Sequence, residues 1–166
     1  EDPARNFRIT CSGHYAIAVN TGPTSNVWDA HDAGLVIEDF EINMAGRIDG
    51  KGIAFDGYVA TRGYIHNGAD CAHVQYDVMI SDTFCQIGPD VGDRNVWCHQ
   101  QVAGGEPHWD GFQSDEGNFI ILRHNTIRNP CQQTSAILMS TNTLPIGNYI
   151  IEGNLMAGGG WTVYCG

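Results

Sequence analysis

The segment 106–116 holds the densest group of chemically active side chains in the sequence. Four carboxylates and one imidazole lie within eleven residues: Glu106, His108, Asp110, Asp115 and Glu116. An imidazole can remove a proton from a substrate, and two carboxyl groups at a suitable separation can hydrolyse a glycosidic bond. Carboxylate oxygens are also the ligands that Ca²⁺ prefers, so Asp115 and Glu116 are candidate calcium ligands. Ca²⁺ is the one cofactor that this pattern suggests.

The residues around this segment are expected to share one outward face of a sheet. Side chains alternate along a strand, so we expect His73 beside Gln113 on a neighbouring strand, and Gln75 beside Asp115. The candidate catalytic residues are His108, Asp110, Asp115, His73 and Arg123. The candidate substrate-binding residues are Gln113, Gln75, Trp109, His66 and Arg62.

Several of these residues also have a purely structural interpretation. Asp110 before a glycine is typical of a turn that precedes a strand, and His108 can anchor a loop. His73 can be an ordinary surface residue. Trp109 and Trp161 are either flat platforms for a sugar ring or aromatic side chains packed beneath a loop. The spatial arrangement of these residues decides between the interpretations.

The elements that must position these residues are short strands that recur in pairs. Segments of a first type lie at 7–10, 35–38, 58–61, 77–80, 118–122 and 148–152, and segments of a second type at 15–19, 52–55, 71–74, 111–114, 136–139 and 162–165. Gly, Asn, Asp and Pro fill the joints, as is typical of turns. The pattern predicts an all-β fold, a parallel β-helix (solenoid) of about six rungs. It would be a single domain over 1–166, or a piece of a longer solenoid; an antiparallel sandwich is the alternative.

Aligning the second-type segments predicts which side chains face inward. The inward row is Ile17, Ile53, Ala72, Phe112, Ile137 and Val163, and the outward row is Ala18, Ala54, His73, Gln113, Leu138 and Tyr164. Asn43, Asn125 and Asn154 are expected to stack as a ladder at the corners. Two long insertions, 20–33 and 88–108, interrupt the spacing and are natural places for functional loops. The last segment, 161–166, reads as an uncapped strand, so we expect further chain or a partner beside it.

Composition excludes several classes of partner. The chain has 166 residues, a net charge of −11 and a single lysine, Lys51. This charge disfavours nucleic acid and anionic membrane surfaces. No apolar run reaches the ~18 residues that a membrane span needs.

The cysteines indicate an oxidising compartment. The six residues Cys11, Cys71, Cys85, Cys98, Cys131 and Cys165 include no closely spaced pair of the kind that binds zinc. Disulfides in a secreted, extracellular protein are the favoured interpretation, with buried thiols as the alternative. Six cysteines allow about 15 pairings, of which Cys85–Cys98 is the first expected because it would close the base of the second insertion.

From residue 105 onward the chain resembles a known group of proteins. The segments that carry the resemblance are HWDGFQSD (108–115), NFIILRHNTI (118–127), TSAILMST (134–141), NYIIEGN (148–154) and AGGGWTVY (157–164). They are similar to secreted bacterial right-handed parallel β-helix proteins of the pectate-lyase-like kind. The pectate-lyase and polygalacturonase catalytic signatures are absent, so the resemblance implies the fold and transfers no catalytic residue.

The expected function is that of a secreted polysaccharide-active protein, specifically a lyase that acts on an acidic glycan. In such a reaction a His or Arg removes a proton and a cation stabilises the resulting enolate. Two alternatives from other classes are a non-catalytic structural, adhesive or filament-forming protein whose open ends stack, and a phage or cell-surface spike segment that binds glycans. The expected partners are therefore a polysaccharide or glycan, and further copies of the chain associated end to end.

Overall fold

Strands running mostly parallel dominate the computed structural model, which describes residues 8–11, 18–19, 28–30, 34–90, 92–99, 108–132 and 134–166. In these residues the strands are β1 (Arg8–Cys11), β2 (Ala18–Val19), β3 (Trp28–Ala30), β4 (Leu35–Glu38), β5 (Glu41–Phe55), β6 (Tyr58–Thr61), β7 (Tyr64–His73), β8 (Tyr76–Ser81), β9 (Phe84–Ile87), β10 (Phe112–Ser114), β11 (Gly117–Arg123), β12 (Thr126–Asn129), β13 (Ser135–Met139), β14 (Ile146–Glu152), β15 (Leu155–Gly158) and β16 (Trp161–Cys165). One short helix, α1 (Arg94–Cys98), interrupts the strands that are described. The prediction of an all-β chain with parallel pairing is confirmed.

The first-type segments form one sheet in the order β1-β4-β6-β8-β11-β14. Each neighbouring pair from β4 to β14 is parallel, as predicted. The prediction is wrong for β1, which runs antiparallel to β4 with Ile9 opposite Ile37. The edge of β4 can accept a neighbour in either direction, because both directions satisfy its backbone donors and acceptors.

The second sheet divides into two stacks because β7 takes part in both. The Tyr64–His66 end of β7 pairs with β9, which continues to β12 and β15. The Ala72–His73 end pairs with β10, which continues to β13 and β16. All these pairs are parallel, so residues from distant parts of the sequence become neighbours across the strands.

The register of the predicted inward row is confirmed from Ile53 onward, and its members are buried from Ile53 to Ile137 but not at Val163. Ile53 pairs with Ala72, and the row continues in register through Phe112, Ile137 and Val163. The start of the predicted row is wrong: Trp28 of β3 pairs with Ile53, and Ala18 of β2 lies antiparallel to β3. Ile17 lies outside the described residues.

Matching turns repeat at the end of each strand of the first sheet. Five residues with positive φ, between +50° and +62°, occupy this position: Asp39, Arg62, Asp82, His124 and Gly153. The backbone N–H of each of the first four donates to a carbonyl at the end of the next strand in the sheet, over 3.1–3.2 Å. Asp and His tolerate this left-handed conformation better than most residues. The repeated turn sets the path of the chain from the first sheet to the second.

Asparagines stack next to these turns, as predicted for two of the three. The backbone N–H of Asn125 donates to Oδ1 of Asn154 over 2.8 Å, and Nδ2 of Asn125 donates to the Ile80 carbonyl over 2.9 Å. The prediction is wrong for Asn43, which lies within β5 and accepts a hydrogen bond from Asn67 of the neighbouring strand β7. To extend the ladder, an asparagine would have to follow β4 directly, whereas Asn43 lies within β5.

The described residues contain two disulfides, and neither is the predicted Cys85–Cys98 bond. They are Cys71–Cys85 and Cys98–Cys131. The predicted Cys85–Cys98 bond is wrong: Cys85 on β9 is paired with Ile65 of β7 and bonds to Cys71 further along that strand, while Cys98 bonds to Cys131. Cys165 is a free, exposed thiol, which corrects its assignment to a disulfide. The side chain of Cys11 lies outside the described residues.

No described helix has the length and apolarity needed to cross a membrane.

The inward row makes a direct prediction about stability. Phe112 is fully buried, whereas Phe119 is 59% exposed. Phe112→Ala is expected to lower the free energy of unfolding by about 3–5 kcal/mol, because it leaves a cavity in the core. Phe119→Ala, the matched control, is expected to change it by about 0.5 kcal/mol or less. Denaturant unfolding with the disulfides intact measures both, and equal losses would contradict the register.

Candidate functional site

A cavity of about 320 Å³ opens on the outer face of β10, β13 and β16. Gln113, Leu138 and Tyr164 form its floor, as successive members of the outward row. His108 and Trp161 lie at its sides. The alternation of side chains along parallel strands therefore brings together residues that are up to 58 positions apart, from His108 to Gly166.

Hydrogen bonds hold Asp115 at one end of the cavity in a fixed orientation. Its Oδ1 accepts hydrogen bonds from Ser140 Oγ over 2.9 Å and from Asn142 Nδ2 over 3.4 Å. Its Oδ2 accepts a hydrogen bond from Gln113 Nε2 over 3.0 Å. Asp115 and Gln113 thus present an ordered set of donors and acceptors beside the aromatic rings. The predicted proximity of His108, Gln113 and Asp115 holds in this cavity.

His73 lies behind this carboxylate rather than in the cavity. Its Nε2 is 3.6 Å from Oδ2 of Asp115, and it neighbours Gln113 in register, as predicted. Burial lowers the pKa of His73, the positive charge of Lys51 lowers it further, and Asp115 opposes both effects. The imidazole is therefore neutral at pH 7. Because Nε2 is shielded from solvent, it has no direct path to a ligand in the cavity.

Asp110 lies beneath the cavity and not within it. Its side chain is fully buried, and its Oδ1 accepts hydrogen bonds from the backbone N–H and the hydroxyl of Ser135, both over 2.7 Å. Burial raises the pKa of this carboxyl group. Its Oδ2 has no hydrogen-bond partner among the described residues. Ser135 lines the cavity and separates Asp110 from it.

A second buried carboxyl group lies next to Asp110. The backbone N–H of Asp110 donates to Oδ1 of Asp70 over 2.6 Å, and Lys51 Nζ contacts Oδ2 of Asp70. Burial raises the pKa of Asp70 to about 6; Lys51 opposes this shift and Asp110 adds to it. Sequence reasoning missed Lys51 and Asp70. The sequence offered one signal for this pair: the chain has a single lysine, and an aspartate stands in the next strand of the same sheet.

The two tryptophans considered as sugar platforms have different environments. Trp109 is buried, donates from Nε1 to the Ile48 carbonyl over 2.9 Å, and packs on Trp97 with ring centroids 3.9 Å apart. Trp161 is 58% exposed and lies at the cavity. Its ring is near that of Tyr164, with centroids 5.8 Å apart and planes inclined by 60°. Trp161 is therefore available as a platform, whereas Trp109 belongs to the core.

The remaining predicted residues lie away from the cavity. His66 is buried, with Nδ1 2.7 Å from Asp90 and Nε2 3.0 Å from Glu41. The ion pairs on the first sheet join Arg62 to Glu38 and Asp39, and Arg123 to Glu152. Gln75 donates to Glu116 over 3.0 Å, where Asp115 was the expected neighbour. The structure therefore does not bring these four residues to His108.

The described residues do not form the expected calcium site. No group of three or more His, Cys, Asp or Glu side chains among them is arranged to hold a metal ion. The oxygens of Asp115 already accept hydrogen bonds from Ser140, Asn142 and Gln113, and Glu116 accepts one from Gln75.

Comparison of the chain with protein-family models, with curated proteins and with solved structures finds no match. The proposed function therefore depends on the geometry of the cavity and of the residues around it.

The environment of His73 predicts a pH dependence of stability. Because its pKa is lowered in the folded state, the unfolded chain binds more protons, and stability is lost as the pH falls below the unfolded value of about 6.5. This loss amounts to at most about 1.4 kcal/mol per pH unit. His73→Gln is expected to reduce the loss between pH 7 and pH 5, as measured by denaturant unfolding.

His124, whose side chain is 60% exposed, provides the control. His124→Gln removes an exposed imidazole, so a larger effect of His73→Gln than of His124→Gln on this dependence would identify the buried position as its source. An NMR titration of the wild-type chain should also give His73 a pKa below 6.5. A value above 6.5 would show that Asp115, rather than burial, controls this imidazole.

Proposed function

We propose that the chain is a secreted, extracellular protein that binds a glycan along the outer face of a right-handed parallel β-helix. The parallel register of both sheets and the repeated turns support the β-helix. Two disulfides support export, because such bonds persist in oxidising compartments. The resemblance to secreted β-helix proteins points in the same direction.

The observation that carries the proposal is the exposure of two aromatic rings in a cavity that also contains polar side chains. Trp161 is 58% exposed and Tyr164 is 40% exposed, although each has a large apolar surface. A pyranose ring offers an apolar face that can stack on an aromatic side chain and hydroxyl groups that need donors and acceptors at its edge. Asp115 supplies an acceptor and Asn142 a donor in the same cavity, where Gln113 holds the Asp115 carboxylate in place. This combination suits a sugar better than an apolar ligand.

The charge of the cavity favours a neutral glycan. Among the described residues that line the cavity, Asp115 is the carboxylate and there is neither lysine nor arginine. The net charge of −11 adds a general repulsion for polyanions. The proposed ligand is therefore a neutral oligosaccharide or polysaccharide, and this differs from the acidic glycan expected from the sequence.

A lyase-type enzyme is the second candidate, and the position of His108 favours it. This imidazole is exposed at the cavity, where it could remove a proton from a bound sugar. β-Elimination also requires stabilisation of the enolate that forms on the substrate carboxylate. The part of the lining that the structure describes contains neither lysine nor arginine for that purpose. Binding without catalysis therefore ranks first.

End-to-end self-association stays a prediction. The outermost strands of the described sheets, β14, β15 and β16, expose apolar side chains that include Leu155 and Val163. Such edges can pair with another chain. Sedimentation of the chain over a range of concentrations measures this association.

Removal of one aromatic platform is expected to weaken glycan binding. A screen of neutral and uronate-containing oligosaccharides should identify a neutral ligand, whose affinity calorimetry then measures. Trp161→Ala and Tyr164→Ala should each lower that affinity about tenfold, or about 1.4 kcal/mol, because each removes a stacking surface. Phe119→Ala, on the first sheet, is the control and should bind normally. Unchanged binding by both cavity variants would reject this cavity as the glycan site.

The lyase candidate makes a separate prediction. If it is correct, incubation with pectate, alginate or a glycosaminoglycan should release unsaturated uronate, detected by ultraviolet absorbance. His108→Ala should abolish that product while the chain remains folded, as judged by tryptophan fluorescence, to which the buried Trp109 contributes. Incubations with and without added Ca²⁺ show whether a metal ion matters. Absence of product from every polymer in both conditions would eliminate the lyase candidate and leave the binding proposal intact.

A further inference from the structure

The polar group beneath the cavity contains an amine and two carboxyl groups that the proposed glycan site does not use. Lys51 on β5 and Asp70 on β7 are opposite each other in the parallel register. Asp110 lies just before β10, which pairs with the other end of β7. Lys51 is the only lysine of the chain, and its side chain is 22% exposed, whereas that of Asp70 is 1% exposed.

The contacts place the three groups in an order that suits a condensation. Lys51 Nζ contacts Oδ2 of Asp70, and the backbone N–H of Asp110 donates to the other oxygen, Oδ1, over 2.6 Å. The carboxyl group of Asp110 is fully buried, and its Oδ2 has no hydrogen-bond partner among the residues described. Electrostatic interactions couple Asp110 to both Lys51 and Asp70. A nucleophile, an electrophile and a proton carrier therefore lie together.

We propose that Lys51 and Asp70 become joined by an isopeptide bond between Nζ of Lys51 and Cγ of Asp70, with Asp110 transferring the proton. The uncharged amine attacks Cγ of the uncharged carboxyl group, so the Nζ–Cγ bond forms and the Cγ–Oδ2 bond breaks. Asp110 takes one proton from the attacking nitrogen and delivers it to the departing oxygen, which leaves as water. Oδ1 becomes the amide oxygen, and the Asp110 N–H stabilises its charge during the reaction. No oxidant, reductant or cofactor is needed.

Burial supports this reaction in two ways. It favours the uncharged form of a carboxyl group, in line with the raised pKa of Asp70. It also makes an ion pair expensive to keep, because two charges lose their hydration. The amide removes both charges from the interior and links adjacent strands across 19 residues of sequence.

The decisive test uses the wild-type chain with a purification tag that contains no lysine. After reduction, its intact mass should be lower than the sequence mass by one water. A protease specific for lysine should fail to cut the reduced, unfolded chain, because amide formation blocks Lys51, the only site. Fragmentation of the peptides from a second protease should locate the bond between Lys51 and Asp70. A chain of full sequence mass that is cut after Lys51 overturns the proposal.

Dehydration of an Asp-Gly sequence to a succinimide also removes one water, and the protease separates the two cases. A succinimide leaves Lys51 open to cleavage, so loss of water together with cleavage after Lys51 overturns the proposal as well.

Three variants test the assigned roles. Lys51→Arg and Asp70→Ala should have full sequence mass, because each lacks one reacting group. Asp110→Asn keeps an oxygen that can accept the Ser135 hydrogen bonds but cannot carry the proton, so most of its chains should remain uncrosslinked and cleavable at Lys51. Complete crosslinking in Asp110→Asn would overturn the role of Asp110. The wild-type mass and cleavage decide the bond itself even if a variant fails to fold.

Discussion

The repeated left-handed turn at the end of the first-sheet strands is the constraint on which the rest of the structure depends. Residues such as Asp39, Asp82 and His124 adopt the same positive φ, and their backbone N–H groups bond to the next strand. A turn of this kind fixes where the second sheet begins relative to the first. Because the strands are parallel, a shift of one residue at a turn would move every following side chain to the opposite face. The outward row that includes Gln113 and Tyr164 therefore exists only because these turns agree.

The buried polar group between β5, β7 and β10 shows the cost of placing charges in such a stack. Parallel register puts Lys51 and Asp70 opposite each other, and the backbone of Asp110 completes the hydrogen bonding of Asp70. Most interior positions of the neighbouring rows are apolar, as with Ile53 and Phe112. A buried ion pair usually adds little to stability compared with an apolar pair of the same size. The amide proposed between Lys51 and Asp70 would remove this cost, because it carries no charge.

The sequence was sufficient to predict the repeating part of the fold and insufficient for the exceptions. Alternation of apolar residues gave the row from Ile53 to Val163 because parallel neighbours share one periodicity. The antiparallel direction of β1 could not be predicted in this way, because apolar residues alternate in an antiparallel strand as they do in a parallel one. The disulfide partners also escaped prediction: Cys71 and Cys85 meet because β7 and β9 are neighbours, a fact that depends on how a long strand is shared between two stacks. The local pattern of apolar residues thus predicts which face of a sheet a side chain occupies better than it predicts which strands are neighbours.

The same distinction explains which site residues were found. Gln113 and Asp115 were placed correctly because alternation along one strand determines their common direction. Trp109 and Trp161 could not be separated, because each stands beside a glycine-rich joint and only the loop geometry decides its burial. Trp109 is covered by Trp97 on α1, whose position is tied by the disulfide from Cys98. Trp161 begins β16, where it is 58% exposed beside the cavity. A large aromatic side chain at such an exposed position forgoes hydrophobic stabilisation, and the proposed glycan would restore part of it because a sugar ring offers an apolar face for stacking.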